Sequence, residues 1–451
     1  MSFLVAFWAT NVAFGKTFNV TNPDGFQVEL TEAQSNGQDD TINVTEGTYD
    51  ITSTLTYSTG NGDGGHKLTI QGAGADKTVL DERGGGVQIL YINTDADRNG
   101  GDAGGDVTIK GMAFINGNDL IAGGGVCVEG SSINIIIKES TFSGNSARYD
   151  GGGVFAYSAS GTVTITNNTF SGNSASHGGG VWADSYSGTV NITNNIFSEN
   201  SATYYDGYGG GVCADSGTIT ITNNTFSGNS ADYCGGVYAY SGSGTVTITN
   251  NIFSGNSANY YSGGVYANSG SGTITITNNT FSGNLANDNG GGVYAWLSRD
   301  LATLNIYNNI FFDNIASAGG NDGDDLYVNS KDGDGNYTGS TVNLYNNDFS
   351  GNADFNTGQS EDLYIDCTDK YHHAGNIQQN PRFVDPVNGD FHLKSNSPCI
   401  DKGKNDAPGL PDTDFDGDPR IINGTVDIGA DECRKSVSRK PMPWLHLLLG
   451  E

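Results

Sequence analysis

Asp184 and Asp215 are the residues whose types and spacing come nearest to chemistry. Each stands three residues after the valine of a Gly-Gly-Val motif, at Val181 and Val212, in consecutive repeats. If consecutive repeats stack as parallel strands, the two carboxyls face the same side about 5 Å apart. A retaining glycosidase uses such a pair as acid and nucleophile, and a shared cation binds one equally well. Mutual repulsion raises one of the two pKa values, as a general acid requires. Asp150, His177 and Asp206 precede the same strand and are candidates to join the pair. β-Elimination on a uronate fits less well, because it needs a base and a positive group to neutralise the substrate carboxylate. Only Arg148, Arg299 and Lys331 are basic between residues 139 and 350.

A row of aromatic residues runs through the same motifs. One residue after the valines lie Phe155, Trp182, Cys213, Tyr238, Tyr266 and Tyr294. Three residues after them lie Tyr157, Asp184, Asp215, Tyr240, Asn268 and Trp296. Aromatic faces dock on sugar rings while carboxylates and amides bind hydroxyls, which makes the eight aromatics a candidate substrate-binding strip. The same row also fits an aromatic ladder that only stabilises the sheet. Two loops have the oxygen spacing of calcium sites. One is Asp95-x-Asp97-x-Asn99-Gly100 with Asp106 at the twelfth position; the other is Asp412-x-Asp414-x-Asp416-Gly417, where Asn423 stands in place of the bidentate Glu. Ca²⁺ is the expected cofactor, with no organic cofactor.

The element that must position these residues is a repeat. Phe114, Phe142, Phe170, Phe197, Phe226, Phe253, Phe281, Phe311 and Phe349 recur at 27–30 residues with one longer last step, and all but the first open a Phe-x-x-Asn motif. The Gly-Gly-Val motifs, from Val126 to Val293, keep step with them. A fixed period of this size marks a solenoid whose coils bury apolar faces only against their neighbours. Each coil reads as three short strands. In Thr162-Val163-Thr164-Ile165-Thr166 the alternation puts Val163 and Ile165 inside and the threonines outside. The Asn pairs that follow, such as Asn167-Asn168 and Asn194-Asn195, are placed to hydrogen-bond from coil to coil at the turn. Outward threonine rows at 162/164/166, 218/220/222, 245/247/249 and 273/275/277 resemble the flat grids of ice-binding β-solenoids. No segment shows a convincing helical period.

With 50 acidic and 20 basic residues the net charge is −30, which makes nucleic acid and anionic lipid poor partners. Six cysteines permit disulfides, and Cys213 and Cys234 fall in adjacent coils. Residues 3–13 read as the apolar part of a secretory signal that lacks its basic start, and no stretch is long enough to span a membrane.

The paired Gly-Gly-Val and Phe-x-x-Asn signals resemble the repeats of polymorphic outer membrane proteins. That resemblance implies a right-handed parallel β-helix of the pectin-lyase-like class. The stretch from Ala33 to Tyr49 is similar to the opening cap of bacterial β-helices. Ser397-Pro398-Cys399-Ile400-Asp401, Asp412 to Arg420 and Asp427-Ile428-Gly429-Ala430-Asp431-Glu432 resemble the terminal module of choice-of-anchor Q proteins. The expected organisation is a signal-peptide remnant over 1–16 and a β-helix over 17–360 with regular coils over 110–355. A small, mostly β module over 361–432 and a basic, apolar tail over 433–451 follow. The expected protein is an all-β, monomeric, secreted or cell-surface protein that binds a polysaccharide or cell-surface glycan without catalysis. A polysaccharide hydrolase or lyase and a purely structural spacer are the alternatives.

Overall fold

Alternating side chains and a 28-residue rhythm give the expected solenoid. The structure, a computed structural model, describes residues 15–59, 65–84, 86–94, 104–299, 301–319, 322–367 and 370–434. The expected signal remnant up to residue 14, Asp95, Asp97, Asn99 and the tail beyond residue 434 lie outside these residues. One coil runs Val154–Ser158, Thr162–Thr166, Thr169–Ser171. Its partners in the next coil are in register, Val154 opposite Val181, Val163 opposite Val190 and Phe170 opposite Phe197. First and second strands of all coils make one 22-stranded sheet, the Phe strands a 10-stranded sheet, and short Ser-Ala-type strands a 5-stranded one. Isolated bridges such as Lys331 to Tyr337 aside, the strands pair in parallel until Phe383–Asp385 meets Asp390–Leu393 in an antiparallel pair.

The repeat residues point inward. Phe114 through Phe349 stack in one column with ring centroids 4.8–5.0 Å apart. Each Asn pair divides its labour. The first residue takes a left-handed turn, with φ between 53° and 57° from Asn167 to Asn346, a conformation that asparagine tolerates better than other non-glycine residues. The second is buried and bonds to the neighbouring coils: the Asn195 Nδ2 donates to Asn224 Oδ1 (3.0 Å) and to the Ile165 carbonyl (2.8 Å). The Asn of Phe-x-x-Asn builds a second such ladder from Asn145 to Asn314, where the Asn314 amide donates to the buried carboxyl of Asp325 at 2.9 Å. Buried turn backbone is thereby paired, which it must be at this depth.

Two expectations change. A helix, Pro23–Ala33, closes the N-terminal end with Phe26, Leu30 and Ala33 buried. Its signals were local: Asn22 accepts the Gly25 N–H at 2.8 Å as an N-cap, and Pro23 sits in the first turn. Three apolar contacts at i, i+4 and i+7 are too short a pattern to stand out from the β alternation around them. The threonine grid, in turn, is covered in its last coils. The chain after residue 400 folds back along the solenoid, where the left-handed asparagines receive it. Asn250 donates to the Thr413 carbonyl (2.6 Å), Asn278 to that of Gly429 (3.0 Å), Asn308 to that of Lys404 (3.1 Å) and Asn346 to that of Lys402 (2.9 Å). Thr277 Oγ1 donates to the Pro408 carbonyl (2.7 Å), and Thr249, Thr275 and Thr277 are buried. An apolar seam of Ile252, Ile310, Phe383, Phe391, Leu393 and Ile428 holds this return segment down. Beyond the antiparallel pair it holds little regular structure.

Candidate functional site

The expected pair is brought together. Asp184 lies opposite Asp215 in register, on Val181–Thr193 and Val212–Thr222. In these two coils the first and second strands run on without a break, whereas the flanking coils interrupt them, as between Ser158 and Thr162. Asp184 is half-buried and its Oδ1 is enclosed with no hydrogen-bond partner. Burial, with the Asp215 charge added, pushes its carboxyl up to about 7. Asp215 stands exposed beside it. Near neutral pH the Asp184 carboxyl therefore exchanges a proton readily next to a partner one coil away.

Asp150 and His177 form a pair of their own, Oδ1 to Nδ1 2.8 Å, in the turns that lead into Val154–Ser158 and Val181–Thr193. Cys213, opposite Trp182 on the strand of Asp215, is a buried free thiol whose pKa burial and the charges of Asp150 and Asp215 push far up, so it stays protonated. Cys234, in the next coil, is likewise a buried free thiol.

The aromatic row is in register throughout: Phe155 opposite Trp182, Trp182 opposite Cys213, Cys213 opposite Tyr238, then Tyr266 and Tyr294. It extends further than the motif showed, to Tyr327 and Tyr364, because Asp-Leu-Tyr replaces Gly-Val-Tyr at Asp325 and Asp362. The rings stack on one another. Phe155 and Trp182 lie 4.5 Å apart at 2°, Tyr266 and Tyr294 4.9 Å apart at 18°, and Tyr294 and Tyr327 5.1 Å apart at 7°. Stacked rings offer each other their faces and offer solvent their edges.

Exposure divides the row. Tyr266 and Tyr294 are only 6% and 7% exposed, because Tyr261 from the preceding turn closes over them, 4.9 Å from Tyr294. Neither can present a face to a sugar. Trp296 is tied down by its indole N–H to the Lys331 carbonyl (2.9 Å). Phe155, Tyr157, Trp182, Tyr238 and Tyr240 are half-buried. Tyrosines that the strand alternation did not single out stand in the turns. Tyr208 and Tyr233 stack 4.6 Å apart beside Tyr238, while Tyr204 and Tyr205 are 62% and 71% exposed. Tyr186, two residues past Asp184, is 81% exposed. The available signal was the Tyr-Tyr doublets at Tyr204-Tyr205 and Tyr260-Tyr261 in otherwise Gly-, Asn- and Ser-rich turns.

Of the calcium-type residues, Asp106 accepts from Asn134 and pairs with Lys67 at 3.2 Å. In the C-terminal loop Asp412 is exposed. Asp414 is buried, and its carboxylate accepts the backbone N–H groups of Asp416, Asp418 and Glu432. Asp416 turns instead to His392, 2.8 Å from Nε2. Burial opposes charge on that ring, but hydrogen bonds to Asp416 and Asp390 and the Asp431 charge hold it at about 9.

A family model described as "Right handed beta helix region" matches residues 86–311. No curated protein matches the chain. Among solved structures, the A-module of the mannuronan C-5 epimerase AlgE4 of Azotobacter vinelandii is similar at 15% identity and a TM-score of 0.36, covering 79% of this chain and 93% of that one. The pectate lyase Pel9A is similar at 13% identity and a TM-score of 0.38, covering 94% and 98%. No helix among the described residues is long and apolar enough to cross a membrane.

Proposed function

The chain belongs to the right-handed β-helix family, and on that premise we propose that it is a secreted or cell-surface protein that binds a glycan without catalysis. The seat is the open stretch of the first strand from Phe155 and Tyr157 to Tyr238 and Tyr240. The observation that supports this reading is the coincidence of that stretch with the exposed tyrosines. Trp182 and Asp184 are half-buried and Asp215 is exposed, and Tyr186, Tyr204 and Tyr205 are exposed on the same coils and the turn between them. Phenolic rings with free faces dock sugar rings, and the carboxyls bind hydroxyls. The acidic surface disfavours a polyuronate and favours a neutral or amine-bearing chain. The polymorphic-outer-membrane-protein-like repeats and the choice-of-anchor Q-like ending fit an export and surface role. A polysaccharide panel in affinity electrophoresis tests the seat. Retardation by one polysaccharide, lost in the double variant Trp182→Ala/Tyr205→Ala, is expected; unchanged retardation sinks it.

A second reading is hydrolysis by Asp184 and Asp215. It rests on the raised Asp184 pKa beside a carboxyl one coil away, the arrangement of an acid and a nucleophile. In that mechanism Asp184 protonates the glycosidic oxygen while Asp215 attacks the anomeric carbon. Release of new reducing ends, abolished by Asp184→Asn, is the assay; binding without release leaves the first reading standing.

A further inference from the structure

Far from the aromatic row, three segments of the return chain converge on one imidazole. His392 lies on Asp390–Leu393, Asp416 in the 412–418 loop, and Asp431 near the end of the described chain. One ligand atom from each of the three lies within 4.8 Å of the others. His392 and Asp431 are buried. We propose that His392, Asp416 and Asp431 form a site for one divalent transition-metal ion of the zinc class, with Asp390 orienting the imidazole.

The two ring nitrogens have different surroundings. Nδ1 is 2.6 Å from Asp390 Oδ1, two residues back on the same strand. This is the carboxylate–histidine arrangement that fixes the tautomer of a metal-binding imidazole and directs Nε2 to the metal. Nε2 is 2.8 Å from Asp416 Oδ2. A cation takes the place of the proton between those two atoms. The carboxylates are themselves held. Asp431 Oδ2 accepts the Leu393 N–H at 3.0 Å, and the backbone of Asp416 is pinned by its N–H to Asp414 Oδ1, also 3.0 Å. The Asp-x-Asp-x-Asp-Gly loop thus serves the site with one carboxylate and positions it with another. Two atoms each about 2.1 Å from a zinc ion lie at most about 4.2 Å apart, so small side-chain rotations close the set. One nitrogen and two carboxylates suit zinc, whereas calcium takes six to eight oxygens.

The test uses the full chain, stripped with chelator and titrated calorimetrically with ZnCl₂, with CaCl₂ in a parallel arm. A chain this acidic binds zinc weakly at many places, so the readout is one tight site. The site is expected to weaken more than 100-fold in His392→Ala, and 10- to 100-fold in Asp390→Asn. Removing a buried ring risks unfolding the module. X-ray absorption on the zinc-loaded unaltered protein therefore gives an independent reading: a single imidazole in the zinc shell is expected. An oxygen-only shell, tighter binding of Ca²⁺ than of Zn²⁺, or zinc affinity equal in the unaltered protein and a folded His392→Ala variant overturns the proposal.

Discussion

The outward row of the first strand is one sequence position put to two uses. From Phe155 to Asp215 it is partly open: its rings and Asp184 are half-buried, Cys213 is buried and Asp215 is exposed. From Tyr266 to Tyr294 it is closed, its rings stacked and roofed by Tyr261. The first strands pair in register in both regions, Val181 to Ser185 on Val212 to Ser216 and Val237 to Ser241 on Val265 to Ser269. The difference comes from the turns before the strands. The turn before Val212 holds Tyr205 and Asp206 in left-handed conformation, with Tyr204 and Tyr205 outward. The turn before Val265 sends Tyr261 back over the row. A repeat position therefore predicts direction, and the adjoining turn decides accessibility.

Four variants break or sharpen this contrast. The largest effect is expected in the closed half. Tyr266→Ala removes a ring stacked on Tyr294 and tilted against Tyr238, and costs about 3–5 kcal/mol in a denaturant melt. A cost below about 1 kcal/mol would show that the Tyr266 ring does not carry the packing of this column.

In the open half, the carboxyl of Asp184 has a folded pKa of about 7 against an ordinary value of 3.8. The folded state thus holds the proton more tightly. The stability this contributes is complete below about pH 4 and is lost as pH rises from about 4 to 7. Asp184→Asn is expected to flatten that fall and to leave the protein more stable at pH 8, by something on the order of 2 kcal/mol. An unchanged pH profile argues against the buried, unpartnered oxygen.

Tyr261→Ala lifts the roof. It is expected to cost about 1 kcal/mol and to let the Tyr266 and Tyr294 edges react with a water-borne tyrosine-modifying reagent. Protection equal to that of the parent protein would refute the roof. The smallest effect belongs to Tyr205→Ala, within about 0.5 kcal/mol of the parent in stability while glycan retardation weakens. A stability loss above 1 kcal/mol would make Tyr205 part of the packing.

The solenoid, its three strands and the juxtaposition of Asp184 with Asp215 were legible because a parallel stack turns sequence period directly into spatial neighbours. The same period announced Phe155 opposite Trp182. It was silent about Tyr261 and Tyr208, since turn conformation has no period. It was silent about the burial of Thr249 and Thr277, because that cover comes from residues more than 130 positions away. The row beyond Tyr294 escaped because Asp324-Asp325 and Glu361-Asp362 replace the glycines that marked each coil. His392 escaped as well, since its partners Asp416 and Asp431 are distant in sequence and no periodic pattern links them.

The buried amide ladder has a direction. From Asn145 onward each side-chain amide donates an N–H hydrogen bond to the oxygen of the coil that follows, and the carboxyl of Asp325 accepts the last one. Every internal junction is therefore chemically identical, donor on one side and acceptor on the other. A coil between Asn145 and Asn229 could thus be duplicated or deleted with the amide junctions still matching, whereas the coils from Asn250 onward also hold the return segment and the Asp325 end closes the ladder.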